Sequence, residues 1–447
     1  MMKILSISEY GLIRKQSDFP DALSDLTELF VLHATFDQLK QLAFETGSSD
    51  ALLTFFVQKG RETIRVHNYA GLLELPDGTQ LEILPKVGPG DVARSVLLSM
   101  LRHLRHSPFQ TLTPAHTTAT RLPLWELFIR LFLDTVELLI QQGLQPTYVS
   151  VEENERFWKG KFQATRHQRE NAHHAERLAV SYDKLTTNIP ANRILKTALS
   201  YLHNQPVGGT TQQRIRQLLW ALDEVPTSAS LPDDLVAIRQ QTGVSASRLF
   251  HRYEPALRWA EALLGGRAFG VKPARNQPRR FVSPSLLFPM QRVFEDYVAH
   301  GVRSYWPDSD VVTVQESSVH LVDAHGGQPK FKLRPDILIR QDGRTLVLDT
   351  KWKQVNGGGS GATVGTGNYG IEQADLYQLY AYGKKYEASD LFLIYPASDT
   401  FRKPLAVFEY DATTRLHVVP FDPVNALADE VEKLVQYTLL CQHRGTE

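Results

Sequence analysis

"RPDILIRQDGRTLVLDTKWK", residues Arg334–Lys353, holds two aspartates thirteen positions apart, Asp336 and Asp349, with Lys351 two residues beyond the second. The runs "ILIR" and "TLVL" around them are of the kind that become strands. Between the runs stands Asp342-Gly343, a two-residue hairpin signal, because a type I′ turn needs positive φ at both central positions. With those two residues as the loop, Gln341 faces Arg344. Counting outward from that pair sets Asp336 directly opposite Asp349, with Cβ atoms roughly 4.5–5.5 Å apart. Lys351 leaves the same face as Asp349, since side chains on a strand alternate. The deduction holds as long as no β-bulge breaks the register.

Like charges placed opposite each other in a half-buried sheet repel, so a cation is expected between them. A hard divalent ion such as Mg²⁺ suits paired carboxylates, waters and a substrate phosphate, and Mn²⁺ is the alternative ion. Lys351 is then a donor able to hold or polarise an attacking water. Two acids, a metal and a lysine in that geometry suit hydrolysis of a phosphodiester. A lone D-x-K is ordinarily a surface salt bridge; the Asp-Gly register moves the reading toward chemistry.

A chain of 447 residues predicts two or three domains, and 42% hydrophobic with 22% charged residues is an ordinary globular composition. Lys plus Arg equals Asp plus Glu at 49 each, so net charge names no partner and any nucleic-acid surface must be local. The single cysteine, Cys441, excludes an internal disulfide and a cysteine-based zinc site and fits a reducing compartment. "MMKILSISEYGLIRK" lacks the apolar core of a signal peptide. The most apolar segment, Leu124–Ile140, carries Glu126, Arg130, Asp134 and Glu137 at helical spacing, which marks an amphipathic helix. The expectation is a cytoplasmic protein without a membrane span.

Three regions are expected in an α/β multidomain chain. Residues 1–110 read as a small mixed α+β module, with a hairpin turn at Pro76-Asp77-Gly78-Thr79 and a helix capped by Asp91 after Gly90. Residues 111–270 read as helix-rich, and the proline- and arginine-bearing stretch Val271–Pro284 as a linker. Residues 285–447 alternate a helix, strands, a helix "IEQADLYQLYAYGKKY" and more strands, the outline of an α/β domain around a central mixed sheet.

"PDILI…LVLDTKWK" resembles the core of PD-(D/E)xK nucleases, with Pro335-Asp336 as the first element and Asp349-Thr350-Lys351 as the second. The resemblance implies a further acid on the preceding helix, for which Glu295 in "RVFEDYV" is the match, and a Q-x-x-x-Y on the following helix, matched by Gln378 and Tyr382. Asp336 and Asp349 are then the expected metal ligands, with Glu295 completing the site and the Thr350 carbonyl as a further ligand, since backbone oxygen suits Mg²⁺. More narrowly, the chain is similar to the McrC family, the nuclease subunits of modification-dependent restriction systems. "YAGLLELPDGTQLEILPKVG", "LIQQGLQPTYVSVEENERFWKGKF", "LTTNIPANRILKTAL" and "DLYQLYAYGKKY" carry that similarity over most of residues 60–440. The first 60 residues share little with the family, and the glycine-rich insert Asn356–Gly370 is not part of its motif. What the family resemblance implies is a division of labour: an N-terminal part docks on a separate ring of McrB-like AAA+ GTPase subunits and stimulates it. The C-terminal domain then cuts double-stranded DNA, modified at a site read by the partner. No G-x-x-x-x-G-K-[ST] occurs in the chain, in keeping with the absence of its own motor.

Other signals are weaker. Gly365–Gly370 matches G-x-G-x-x-G but follows a flexible run rather than a strand, so no dinucleotide site is expected. His173-His174 with Glu176 reads as a solvated helix surface. "LRHLRH" (Leu101–His106) and Lys272–Arg280 are equally readable as phosphate contacts or as solvated polar segments. Trp158 and Trp352 read as packing residues. Two rival functions stay open at this level: a stand-alone repair nuclease of the same chemistry, and a regulator with structural acids that stimulates a partner GTPase without cutting.

Overall fold

A computed structural model describes residues 4–45, 52–105, 108–111, 123–174, 176–205, 207–244, 248–265, 285–341, 343–355 and 368–443. The expected linker 271–284, Asp342 of the expected turn and the insert up to residue 367 lie outside them. Contacts divide the chain into two compact units, Pro123–Gly266 and Lys3–Leu122 together with Arg267–Glu447.

The second of these begins with β1 (Ile4–Ser8), β2 (Leu12–Lys15), β3 (Glu28–Val31), α1 (His33–Glu45), β4 (Leu53–Gln58), β5 (Arg61–Val66), β6 (Tyr69–Glu74), β7 (Gln80–Leu84) and α2 (Gly90–Leu101). The strands form one mixed sheet in the order β3-β2-β5-β4 and contribute three strands to another, whose β1 pairs parallel with β7. The turn expected at Pro76–Thr79 joins β6 to β7: Gly78 has φ +79° and Asp77 Oδ1 accepts from the Thr79 N–H at 2.8 Å. Asp91 does not cap α2. Pro89 occupies the cap, and Asp91 in the first turn pairs with Arg94 at 3.1 Å.

The unit Pro123–Gly266 holds α3 (Leu124–Gln141), β8 (Thr147–Glu155), β9 (Lys161–Phe162), α4 (Ala164–Glu170), β10 (Leu178–Thr186), α5 (Pro190–His203), α6 (Gly209–Ala221), α7 (Leu231–Val244) and α8 (Arg248–Gly265). Among the described residues this unit holds six helices, together with a sheet of order β8-β10-β9 that was not legible in the sequence. The strand β8 is mostly exposed along its length, so its sequence lacks the apolar alternation that marks a half-buried strand. The charges of α3 do lie together: Arg130 pairs with Glu126 at 2.8 Å, and Arg214 of α6 reaches Asp134 and Glu137 at 2.6 and 2.7 Å. Among the described residues no helix is long and apolar enough to cross a membrane. His173-His174 falls in the turn after α4 rather than on a helix, with His174 Nδ1 3.2 Å from Glu176.

After the described residues resume, β11 (Ser285–Pro289) joins the N-terminal sheet, giving the order β1-β7-β6-β11. Gly71 explains how β11 fits: its φ is +128°, and a Cβ there would stand 2.0 Å from the Leu286 carbonyl oxygen. Next come α9 (Met290–Tyr305), β12 (Val312–Val314), β13 (His320–His325), β14 (Gln328–Lys332), β15 (Ile337–Gln341), β16 (Arg344–Thr350), α10 (Gln373–Lys385), β17 (Asp390–Pro396), β18 (Phe408–Glu409), β19 (Arg415–Phe421) and α11 (Leu427–His443). The central mixed sheet has the order β12-β15-β16-β17-β19-β18, with β16-β17-β19 parallel and the remaining pairs antiparallel. Every residue of "DLFLIYP" in β17 is buried, as expected for a strand with parallel neighbours on both sides. β13 and β14 form a separate hairpin, consistent with the largely exposed side chains they carry.

Candidate active site

The ladder between β15 and β16 runs without a bulge from Gln341↔Arg344 to Ile337↔Leu348. This is the register that the hairpin count requires, and Asp336 and Asp349 are the residues that follow its last pair, Ile337↔Leu348. Gly343 has φ +72°, the conformation such a turn demands. Asp336 is half-buried at the start of β15, and its Oδ2 accepts from the Thr350 N–H at 2.7 Å and from Thr350 Oγ1 at 2.8 Å. Asp349 is 2% exposed. Lys351 Nζ stands 2.5 Å from Asp349 Oδ2, an ion pair in which that buried oxygen has no well-aligned hydrogen-bond donor.

Glu295 comes to the same place from α9. Its Oε1 accepts from Gln315 Nε2 at 2.7 Å, while the Gln315 N–H donates to the Asp336 carbonyl at 2.9 Å. Gln315 holds φ +51°, a strained conformation for a residue with a side chain, and that strain lets one residue bind both acids' elements. The three carboxyls share one field. Burial raises Asp336 well above the ordinary range, and the charges of Asp349 and Glu295 raise it further. Burial likewise raises Glu295 and Asp349, although Lys351 pulls Asp349 back. For Lys351, burial alone would lower the ammonium, but Asp349, Asp336 and Asp375 outweigh it and hold it above its ordinary value. Its acidic neighbours thus favour the protonated, hydrogen-bond-donating form of Lys351.

Gln378 and Tyr382 join this group through a relay. Gln378 Nε2 donates to the Tyr382 hydroxyl at 2.7 Å, that hydroxyl donates to the Arg334 carbonyl at 3.2 Å, and Lys351 Nζ donates to Gln378 Oε1 at 3.4 Å. Four residues apart on α10, the pair shares a helix face and ties the start of β15 to Lys351. Tyr382 is buried, whereas Tyr377 and Tyr380 are exposed.

Three residues were not found by sequence reasoning. Asp375, one turn before Gln378, lies 3.9 Å from Lys351 Nζ and 3.2 Å from Lys353 Nζ; its spacing to Gln378 was the available signal. Gln315 had none. Gln291, one turn before Glu295, donates through Nε2 to the Thr350 carbonyl and accepts through Oε1 from the Trp352 N–H, both at 2.7 Å. A single amide thus clamps the backbone on both sides of Lys351. It also engages the carbonyl expected to face a cation, which keeps a second lone pair. Gln291→Ala is expected to cost about 1–3 kcal/mol, since two buried backbone groups lose their partner. A denaturation midpoint unchanged from wild type would remove the clamp from this account.

Trp352 packs as expected, 3% exposed and tilted against Phe294 at 5.1 Å between centroids. Trp158 does not: it is 67% exposed and stacks on Phe162. The Trp352 Nε1–H donates to Glu9 Oε1 at 2.7 Å, and the same oxygen accepts from the Lys86 N–H at 3.0 Å. Asp336, Asp349, Glu295 and the Thr350 carbonyl, with Asp375 beyond Lys351, bring oxygen atoms to this end of the sheet. Among the described residues no three His, Cys, Asp or Glu side chains converge as a ready-made cage.

The model of the McrBC 5-methylcytosine restriction system component family matches residues 64–396, and the chain belongs to that family. Within it the fold is that of McrC. A chain of the Thermococcus gammatolerans assembly of McrB AAA+ hexamers with bound McrC aligns with a TM-score of 0.69 at 17% identity, over 98% of this chain and 100% of that one. The Thermococcus gammatolerans McrBC complex aligns with a TM-score of 0.50 at 18% identity, over 68% of this chain and 89% of that one. No curated protein matches.

Proposed function

We propose that this chain is the Mg²⁺-dependent DNA endonuclease subunit of an McrBC-type restriction complex, with a PD-(D/E)xK site and an McrB-like AAA+ GTPase as its motor. The observation that carries this reading is the meeting of Asp336, Asp349 and Lys351 at one end of the mixed sheet, with Glu295 in the same field. Mg²⁺ fits the donor set. It asks for one or two carboxylates plus waters and substrate phosphate, not a complete protein cage. Among the described residues Asp349 Oδ2 is held only by the Lys351 ammonium at 2.5 Å, a partner the ion would displace. When bound, Mg²⁺ supplies charge stabilisation at the phosphate and acidifies water.

Asp336 and Asp349 would hold the ion, with Glu295 and the Thr350 carbonyl completing the oxygen set. Lys351, kept protonated by its acidic neighbours, orients the attacking water and donates to the charge that builds on the phosphate. Gln378 and Tyr382 set the reach of Lys351, and Gln291 fixes the peptide that bears it. The assembly named for the Thermococcus fold relative, McrB AAA+ hexamers with bound McrC, supports docking on an AAA+ ring; the N-terminal part of this chain is assigned to that contact by this reading alone.

The test mixes the purified chain with modified plasmid DNA and Mg²⁺, alone and with the AAA+ protein encoded beside it plus GTP. Cutting only in the complete mixture is the expected result. Cutting by the chain alone would instead favour a stand-alone nuclease. GTP turnover raised without any cutting would mean a regulator.

A further inference from the structure

The segment "LRHLR", Leu101–Arg105, ends α2 and lies beside α9. Together they wall a cleft of about 420 Å³, lined by Arg102, His103 and Arg105 on one side and Asp296, His300 and Arg303 on the other. Three guanidinium groups thus face one carboxylate, and that carboxylate is already engaged. Arg105 Nε lies 2.6 Å from Asp296 Oδ1, and the Arg105 N–H donates to Asp296 Oδ2 at 3.1 Å. Among the described residues no acid forms an ion pair with Arg102 or Arg303. Arg105 Nη2 is a buried donor without a hydrogen bond. His103 and His300 stack at 4.1 Å between centroids, 27° from parallel. Burial, with Arg102 adding to it, lowers both imidazoles, His103 to about 4, so at neutral pH they are uncharged. A neutral imidazole keeps one N–H to donate.

The position of the cleft is as telling as its charge. Asp296 follows Glu295 on α9, and Val314, which closes the cleft, precedes Gln315, the residue bound to Glu295. The basic cleft and the acidic group therefore flank one turn of one helix, about 100° apart around its axis. We propose that this cleft is a phosphate-binding pocket that takes a backbone phosphate of the DNA duplex neighbouring the one to be cut. This rests on the nuclease reading. Arginines that are unpaired and forked suit a phosphate, and they offset the repulsion that three carboxyls impose on an approaching polyanion. Held there, the backbone is set in register with Asp336 and Asp349 without any base being read.

The experiment measures binding, not cleavage. Full-length protein in EDTA is titrated with a fluorescent DNA duplex by anisotropy at several salt concentrations between roughly 50 and 200 mM. Compared with it are Arg102→Ala/Arg303→Ala, the lysine pair Arg102→Lys/Arg303→Lys, and Arg402→Ala, an exposed arginine elsewhere. The expected result is an affinity about tenfold weaker in the alanine pair, with the log–log salt slope flatter by about one to two. The lysine pair should recover most of the slope, and Arg402→Ala should match wild type. Circular dichroism confirms that each variant is folded. Unchanged affinity and slope in the alanine pair would overturn the pocket, as would a wild type that binds no duplex. Inorganic phosphate is run in parallel by thermal shift. Loss of a phosphate-induced shift in the alanine pair with unaltered DNA affinity would mean a free-phosphate site and overturn the DNA assignment. The two readings fail separately: a protein that binds DNA through the cleft but cuts nothing with metal and partner loses only the nuclease reading.

Discussion

Lys351→Ala is expected to lower DNA cleavage by the complete complex by at least about 10³-fold while leaving stimulation of GTP hydrolysis intact. The expectation follows from where the ammonium sits. It stands 2.5 Å from Asp349 and 3.4 Å from Gln378, and the neighbouring carboxylates hold it protonated. Its removal takes away both a donor to the reacting group and the counter-charge of a buried acid. Lys351→Arg should not rescue, because a rigid planar fork cannot occupy a space in which Asp349, Asp375 and Gln378 meet one tetrahedral ammonium. Breaking a buried pair can cost about 3–5 kcal/mol, so Asp349→Asn is the companion variant. It removes a charge that burial already disfavours and keeps an acceptor of the same shape. Both variants should fold, both should raise GTP turnover as wild type does, and neither should cut. Wild-type rates of cutting from either protein would sink the catalytic assignment.

Glu9→Gln is expected to make the protein more stable above neutral pH, by about 1–3 kcal/mol at pH 8. Glu9 is 1% exposed, and burial raises its carboxyl from an ordinary 4.5 to about 7 against the hydrogen bonds from Lys86 and Trp352. The folded state therefore keeps a proton that the unfolded chain has released. The associated stability is whole below pH 4.5, declines as pH rises toward 7, and is gone above it. Glutamine retains the Oε1 acceptor for both donors and carries no charge, at the cost of placing an amide at the buried, unbonded Oε2 position. Urea midpoints from pH 4 to pH 8 should slope downward for wild type more steeply than for the variant. Parallel curves would mean that Glu9 does not titrate in the folded protein.

These two sites differ in how far the sequence alone could reach them. The pairing of Asp336 with Asp349 was legible because a two-residue turn and a period of two leave no freedom once the loop is placed. Gln378 and Tyr382 were legible for the same kind of reason, since a helix repeats its faces every three to four residues. The family of the chain could be read from segments spread along it, and the amphipathic helices from their periodicity.

Tertiary structure decided the rest. That Gln291 clamps the Lys351 peptide and that Gln315 holds Glu295 both depend on α9 crossing the end of the sheet, and glutamines at those positions have no periodicity to mark them. Glu9 meets Trp352 across 343 positions of sequence, and β11 joins strands laid down some two hundred residues earlier. The basic cleft exists only because α2 packs against α9. Local chemistry fixes turns, helix faces and strand register, because those contacts close over a few residues. Contacts between distant elements are selected by the packing of whole surfaces, and that choice becomes visible only once the chain has folded.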